Sequence, residues 1–160
     1  MLAFWGTINI YAYDVEVDGI CYNLSENEAT VTKGKTYGGR KIIPSNITLN
    51  GRTYEVTRIG RAAFQNCDEV TSVSMPNTIK YIEEYAFCGC EGLTDISISK
   101  NLISIGDYGL SFCSSLTTVN LPNSLTTIGE ETFKYCSGLQ TITIPNGVTS
   151  IGNGAFYECI

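Results

Sequence analysis

The chain has 160 residues, of which 43% are hydrophobic, and it carries a net charge of −6 with no histidine. This length fits one domain, and the acidic balance argues against a nucleic-acid partner, which would require a basic patch or stripe. The absence of histidine excludes Ser-His-Asp and Cys-His catalysis and removes a common metal ligand. We therefore expect a protein that is not an enzyme and needs no cofactor.

The first stretch, residues 1–13, reads MLAFWGTINIYAY. It is too short for a transmembrane helix and is interrupted by polar residues, so we predict no transmembrane segment here. It resembles the end of a secretory signal peptide, with Ala12 as a small residue before the cleavage point. No basic residue precedes it, however, and an ordinary N-terminal strand is the alternative. We favour the signal-peptide remnant.

Residues 14–43 have the pattern of short strands joined by turns. Val15 and Val17 alternate with acidic residues, and Asp18-Gly19 is a strong hairpin signal. A stack of repeats must cover the apolar end of its first coil. We therefore predict a small antiparallel β cap over residues 14–43.

Residues 44–69 resemble the later part of the chain with an insertion. Pro44 takes the place of later prolines, and nine additional residues separate it from the next matching aliphatic residue, Val56. The insertion, around residues 47–55, carries Asn50-Gly51 between alternating segments, which predicts a hairpin. We interpret this stretch as a modified first repeat with a hairpin insert.

Between residues 64 and 159, three series of residues recur every 23 positions. A period of about 20 to 29 residues with regular aliphatic positions indicates a leucine-rich solenoid. The four uniform units span residues 70–92, 93–115, 116–138 and 139–160. The series are Val70, Leu93, Leu116 and Leu139; Cys67, Cys90, Cys113, Cys136 and Cys159; and Phe64, Phe87, Leu110, Phe133 and Phe156.

Each unit contains two short extended pieces. In the third unit, Val119 and Leu121 alternate with polar residues, which predicts a strand with one buried face. Pro122 ends this strand because it cannot donate to the strand ladder. Leu125 and Ile128 predict a second extended piece. Stacking the units would then build a short parallel sheet from the first strands.

The end of each unit has the spacing of a helical turn. Phe133 and Cys136 lie three positions apart, so we predict about one turn of helix over residues 130–136.

The second unit, residues 93–115, departs from the repeat pattern. It has Ser99, Gly109 and Leu110 at the places of Pro, Ala and Phe, and we expect it to be the least rigid coil. The array stops without a polar terminal repeat, so we expect the natural protein to continue beyond residue 160.

One cysteine per unit at one position indicates a stacked column inside the solenoid, since cysteine is small and readily buried. We favour free, buried thiols. Disulfides between neighbouring coils remain an alternative, because a separation of about 4.8 Å falls within the Cα range that a disulfide allows. Cys88-Gly89-Cys90 is too tight for a zinc knuckle, so we predict no metal site there.

The unit L-x-x-I-x-I-P-x-x-V-x-x-I-G-x-x-A-F-x-x-C resembles the BspA-like leucine-rich repeats, also called the Treponema pallidum type. The lead-in, DGICYNLSENEATVT, is similar to the N-terminal part of such proteins from gut and oral Bacteroidetes. We therefore predict a β-rich, right-handed leucine-rich repeat solenoid with a short parallel sheet and one-turn helices. The resemblance implies a secreted or surface-displayed bacterial protein, and some family members are adhesins. It transfers no catalytic or ligand-contacting residue.

Two surface features are candidates for binding. Glu84, Asp107 and Glu130 share one repeat position and could hold calcium. We prefer the alternative that they lie at the start of each one-turn helix, where the helix dipole favours negative charge.

The second candidate is the outward face of the predicted sheet, which is flat, small, polar and almost uncharged. Its residues are Ser72, Ser74, Asp95, Ser97, Thr118, Asn120, Thr141 and Thr143. A solenoid commonly binds through such a face, so we favour a non-enzymatic interaction or adhesion module with a protein partner. The alternatives are a structural spacer or cap of a larger surface protein, and a carbohydrate- or calcium-dependent binding module.

Overall fold

The structure is a computed structural model, and it describes residues 13–159. The predicted signal-peptide remnant therefore lies, apart from Tyr13, outside the described residues. Within residues 13–159 the chain forms strands and turns and no helix. The strands are β1 Val15–Val17, β2 Ile20–Ser25, β3 Glu28–Thr32, β4 Gly39–Ile42, β5 Asn46–Leu49, β6 Arg52–Ile59, β7 Val70–Ser74, β8 Tyr81–Ile82, β9 Asp95–Ser97, β10 Ser104–Ile105, β11 Thr118–Val119, β12 Thr127–Ile128, β13 Thr141–Ile142 and β14 Ser150–Ile151.

The N-terminal strands form an antiparallel meander that continues into the solenoid. β1 pairs with β2 through a turn at Asp18 and Gly19, whose φ angles of 50° and 71° are in the left-handed region. β2 then pairs with β3, and β3 pairs in parallel with β6. Ile20, Tyr22 and Val31 are fully buried against the first coil. The meander therefore covers apolar surface at this end of the stack.

β4 lies within the segment predicted as the cap but belongs to the stack. It pairs in parallel with β7, so it extends the sheet that the repeat units build. The hairpin of β5 and β6 follows, and Asn50 and Gly51 form its turn with φ angles of 52° and 79°. Both central residues have positive φ, as a two-residue hairpin loop of this kind requires.

The repeat units stack into two parallel ladders. The second extended pieces form the longer one, in the order β6-β8-β10-β12-β14. The first pieces form β4-β7-β9 and, separately, β11-β13. The ladder is thus interrupted between β9 and β11, at the unit in which Ser99 replaces proline.

The predicted helical turn over residues 130–136 is wrong. The N–H groups of Glu131, Phe133 and Tyr135 donate to carbonyls of the next coil, at N···O distances of 2.9, 2.7 and 2.9 Å. The N–H groups of Lys134 and Cys136 instead donate three residues back along the chain, to the carbonyls of Glu131 and Phe133, both at 3.1 Å. A helix would direct every donor to its own turn, so this alternation is a run of β-turns tied to the neighbouring coil. We call this side of the solenoid the turn edge.

The turn edge places two residues of each coil in the left-handed backbone region. The first position holds Ala62, Tyr85, Tyr108, Glu131 and Gly154, and the second holds Asn66, Gly89, Phe112, Tyr135 and Glu158. This conformation costs a non-glycine residue about 1–2 kcal/mol. The hydrogen bonds between coils offset that cost, because they require the backbone to turn outward at these points.

The core is a stack of repeated side chains. The rings of Phe64 and Phe87 stack at 4.9 Å between centroids, and those of Phe133 and Phe156 at 5.4 Å. Leu110 occupies the intervening coil and is fully buried. The aliphatic series at the start of each unit is buried as well.

The cysteine column runs beside this stack. The described cysteines are unpaired. From Cys90 onward, each thiol of the column donates to a carbonyl of the preceding coil: Cys90 to Phe64 at 3.1 Å, Cys113 to Phe87 at 3.3 Å, Cys136 to Leu110 at 3.1 Å and Cys159 to Phe133 at 2.8 Å. Burial raises the pKa of Cys90 and that of Cys136 to about 12, and it also raises the pKa of Cys113. The thiols therefore stay neutral near pH 7 and act as internal hydrogen-bond donors.

Replacing Phe133 by alanine should reduce the free energy of unfolding by about 3–5 kcal/mol, because it empties a fully buried aromatic site. Urea denaturation followed by circular dichroism would measure the loss. Phe156→Ala is the matched control: this ring occupies the same repeat position but is only partly buried, so its loss should be smaller. A cost below about 1 kcal/mol for Phe133→Ala would contradict its place in the core.

Thiol alkylation should separate the column from the two half-buried cysteines. Without reductant at pH 8, we expect Cys88 and Cys159 to react in the native protein and all seven cysteines to react after unfolding. Because the thiolate is the reactive form, raising the pH from 7 to 10 should leave native Cys90 and Cys136 largely unmodified, since their pKa is about 12. Mass spectrometry of the labelled peptides would show this. Fewer than seven thiols after unfolding would instead indicate disulfides.

Candidate functional site

The outward side chains of the first strands form one polar surface, which we call the sheet face. Strand register pairs Ser72 with Asp95 and Ser74 with Ser97, and it pairs Thr118 with Thr141. Ser72 and Ser74 are half-buried. The exposed members are Asp95, Ser97, Thr118, Asn120, Thr141 and Thr143.

Four of the eight candidate residues line a single shallow hollow. Thr118, Asn120, Thr141 and Thr143 surround a volume of about 170 Å³, with Val119 and Leu121 contributing to its lining. Its polar lining consists of three hydroxyls and one amide, so it offers hydrogen-bond donors and acceptors without a charge. The other four candidates lie on β7 and β9, beyond the interruption in the ladder.

The structure adds two residues that the sequence analysis missed. β4 is in register with β7, so Arg40 lies beside Ser72 and Ile42 lies beside Ser74. Ile42 is 62% exposed, which gives this edge of the sheet face an apolar side chain next to a cation. Pro44 was the signal that could have found them, because Arg40 and Ile42 precede it by the same spacing that separates Thr118 and Asn120 from Pro122.

The acidic residues of the repeated position are engaged by the chain itself. A carboxylate oxygen of Glu84 lies 2.9 Å from the guanidinium of Arg61. Asp107 accepts the backbone N–H of Glu130, one coil further on, at 2.8 Å. Our helix-dipole interpretation is wrong because these residues begin a turn and not a helix. Within residues 13–159, no group of three or more His, Cys, Asp or Glu residues is arranged to hold a metal ion.

The described part of the chain has no helix that is long and apolar enough to cross a membrane.

The repeat pattern of this chain matches a known family of repeat proteins. A BspA type leucine rich repeat region matches residues 46–160 in six copies. No protein with a curated description matches the chain.

Three solved structures are similar over nearly the whole chain. A leucine-rich repeat protein from Bacteroides ovatus is 38% identical over 92% of this chain and 39% of its own, with a TM-score of 0.87. A leucine rich cell surface protein from Faecalibacterium prausnitzii is 36% identical over 91% of this chain and 40% of its own, with a TM-score of 0.81. The leucine-rich repeat protein of Treponema pallidum is 29% identical over 91% of this chain and 67% of its own, with a TM-score of 0.82.

The chain thus spans about two fifths of the length of the Bacteroides and Faecalibacterium proteins. The family match extends from the hairpin through every later coil, and the solved structures share the same stack. The chain belongs to the BspA type leucine rich repeat family.

Proposed function

We propose that this chain is a non-enzymatic protein-binding module that contacts its partner through the sheet face. The observation that carries the proposal is the hollow of about 170 Å³ between β11 and β13. The outward residues of β7 and β9 occupy the same repeat positions on the preceding coils, beyond the interruption in the ladder. Several coils contribute to one surface, so affinity can accumulate from many small contacts.

The rigidity of the stack supports this function. Each coil is joined to the next by backbone hydrogen bonds on the turn edge and by the continuous parallel ladder of the second extended pieces. A surface that is already ordered loses little conformational entropy when a partner binds. The threonine, serine and asparagine side chains can each donate or accept hydrogen bonds, and Ile42 supplies an apolar contact at one edge.

We further propose that the protein is secreted or displayed on a bacterial surface. The F. prausnitzii relative is described as a cell surface protein, and it is 36% identical to this chain. Adhesion to another protein would be the corresponding activity. The alternative of a structural spacer places binding in another part of a longer protein.

Changing Thr118, Asn120, Thr141 and Thr143 together to lysine should weaken binding to a protein partner, because four long cationic side chains would fill the hollow. The measurement is biolayer interferometry of the immobilised chain against a panel of purified secreted and surface proteins. We expect the hits of the unmodified chain to weaken at least about tenfold, which corresponds to ~1.4 kcal/mol.

A matched control carries the same four added charges elsewhere on the same two coils. Asn123, Ser137, Gln140 and Asn146 are exposed, do not line the hollow and make no side-chain hydrogen bonds within the described chain. The corresponding lysine variant should bind as the unmodified chain does. If both variants bind equally well, the sheet face is the wrong surface and the spacer alternative gains support.

Calcium should not stabilise the protein, because Glu84 is paired with Arg61 and Asp107 accepts a backbone N–H group. We expect the melting temperature in 5 mM calcium chloride to match that in EDTA within about 1 °C, as judged by differential scanning fluorimetry. A ligand present at 100 times its dissociation constant would stabilise by about 2.7 kcal/mol, which shifts the melting temperature by several degrees. A shift of that size would favour the calcium-dependent alternative.

A further inference from the structure

A larger hollow lies on the turn edge, away from the sheet face. Its volume is about 460 Å³. We call it the turn-edge hollow, and its lining residues are Asn66, Asp68, Cys88, Gly89, Glu91 and Phe112. It differs from the first hollow in combining an aromatic ring with two carboxylates.

The turn-edge hollow is lined by a repeated series of left-handed residues, in which one coil has glycine. Asn66, Gly89 and Phe112 occupy the same left-handed position on three successive coils. Gly89 has no side chain, and a Cβ atom added there would lie only 2.4 Å from Oδ1 of Asn66. The series continues beyond Phe112 with Tyr135, whose ring centroid lies 5.0 Å away. The side chain of Asn66 therefore covers Gly89, and Phe112, which is 41% exposed, forms one wall of the hollow.

The charges of this hollow are all of one sign. Asp68 and Glu91 occupy equivalent positions on adjacent coils, and both are exposed. Neither forms an ion pair with any residue that the structure describes, and no basic residue lines the hollow. Cys88 adds no charge near pH 7, since burial raises the pKa of its thiol.

Elsewhere on this molecule an aromatic ring and a neighbouring carboxylate share a cation from the chain itself. Arg61 lies 5.8 Å from the ring centroid of Tyr85 and 2.9 Å from a carboxylate oxygen of Glu84. The guanidinium of Arg58 lies 4.3 Å from the ring centroid of Tyr81, and Arg58 also pairs with Glu83 at 3.5 Å.

Lys134 repeats the arrangement one coil away from Phe112. Its Nζ lies 5.5 Å from the ring centroid of Tyr135 and 2.7 Å from a carboxylate oxygen of Glu131. Among the described residues no basic side chain lies over Phe112. The turn-edge hollow thus has the ring and the carboxylates of this arrangement, but the chain supplies no cation to it.

We propose that the turn-edge hollow is a second interaction site, which binds an arginine or lysine side chain of a protein partner. The cation would lie over the ring of Phe112 and between the carboxylates of Asp68 and Glu91. Cation–π attraction and two opposite charges act on the same group there, so a basic side chain fits better than a neutral one. This site does not depend on the sheet face, and either can bind without the other.

The test uses the whole chain and the peptide acetyl-Gly-Arg-Gly-Arg-Gly-amide as the probe. Titration into ¹⁵N-labelled protein should shift the amide resonances of Asn66, Gly89 and Phe112, and it should leave those of Thr118 and Thr141 unchanged. The same peptide with citrulline in place of arginine keeps the size and planar shape of the side chain but loses the charge, with a carbonyl in place of one nitrogen donor group. It should cause no saturable shifts.

Two variants with equal charge changes separate a specific site from general attraction to an acidic protein. Asp68→Asn with Glu91→Gln should raise the Kd for the arginine peptide at least about fivefold. Glu26→Gln with Glu55→Gln removes two exposed carboxylates that line neither hollow, and it should change the Kd less than about twofold. Phe112→Leu keeps an apolar side chain without a π face and should raise the Kd about threefold.

The proposal would be overturned if the two double variants weakened binding equally, because the attraction would then be nonspecific. Shifts confined to the sheet face, or equal shifts with the citrulline peptide, would also overturn it. Unchanged far-ultraviolet circular dichroism of each variant shows that the fold is intact.

Discussion

Backbone hydrogen bonding between coils is the constraint on which this structure depends. Within a repeat coil the two short extended pieces do not pair with each other but with their counterparts on neighbouring coils, and alternate N–H groups on the turn edge donate to the next coil. Buried backbone donors must be paired, and here the neighbouring coil provides the acceptors. The two left-handed residues of each coil follow from this geometry, because they turn the chain so that the next donor faces its neighbour.

Side-chain packing follows from the same constraint. Stacked coils place equivalent positions next to each other, so the ring of Phe87 stacks on that of Phe64, and from Cys90 onward each column cysteine donates to a carbonyl of the coil before it. The close spacing between coils also limits side-chain size, because a Cβ on Gly129 would lie 2.5 Å from the backbone nitrogen of Asp107. Glycine there is required by close approach of two backbones, and it keeps the ladders in register.

The two hollows differ because their surfaces are built differently. Strand residues alternate between core and solvent, and the solvent positions of the sheet face hold small polar side chains. On the turn edge, several left-handed positions instead hold large side chains, as at Tyr85, Phe112 and Tyr135. One solenoid thereby has a polar hollow on the sheet face and a separate hollow that combines an aromatic ring with carboxylates.

The sequence by itself determined the repeat, the solenoid and the core, because a fixed period decides which residues become neighbours once coils stack. Phe133, Cys136 and Leu116 could be placed in the core on that ground alone. Only the tertiary structure decided that residues 130–136 form turns, since a spacing of three suits both a helix and a turn, and the acceptor for the N–H of Phe133 is Ala155 on the next coil. It likewise placed β4 in the sheet through its pairing with β7. The turn-edge hollow is lined by residues of three coils, among them Asn66, Gly89 and Phe112, and no local pattern of residues predicts which side chains line one hollow.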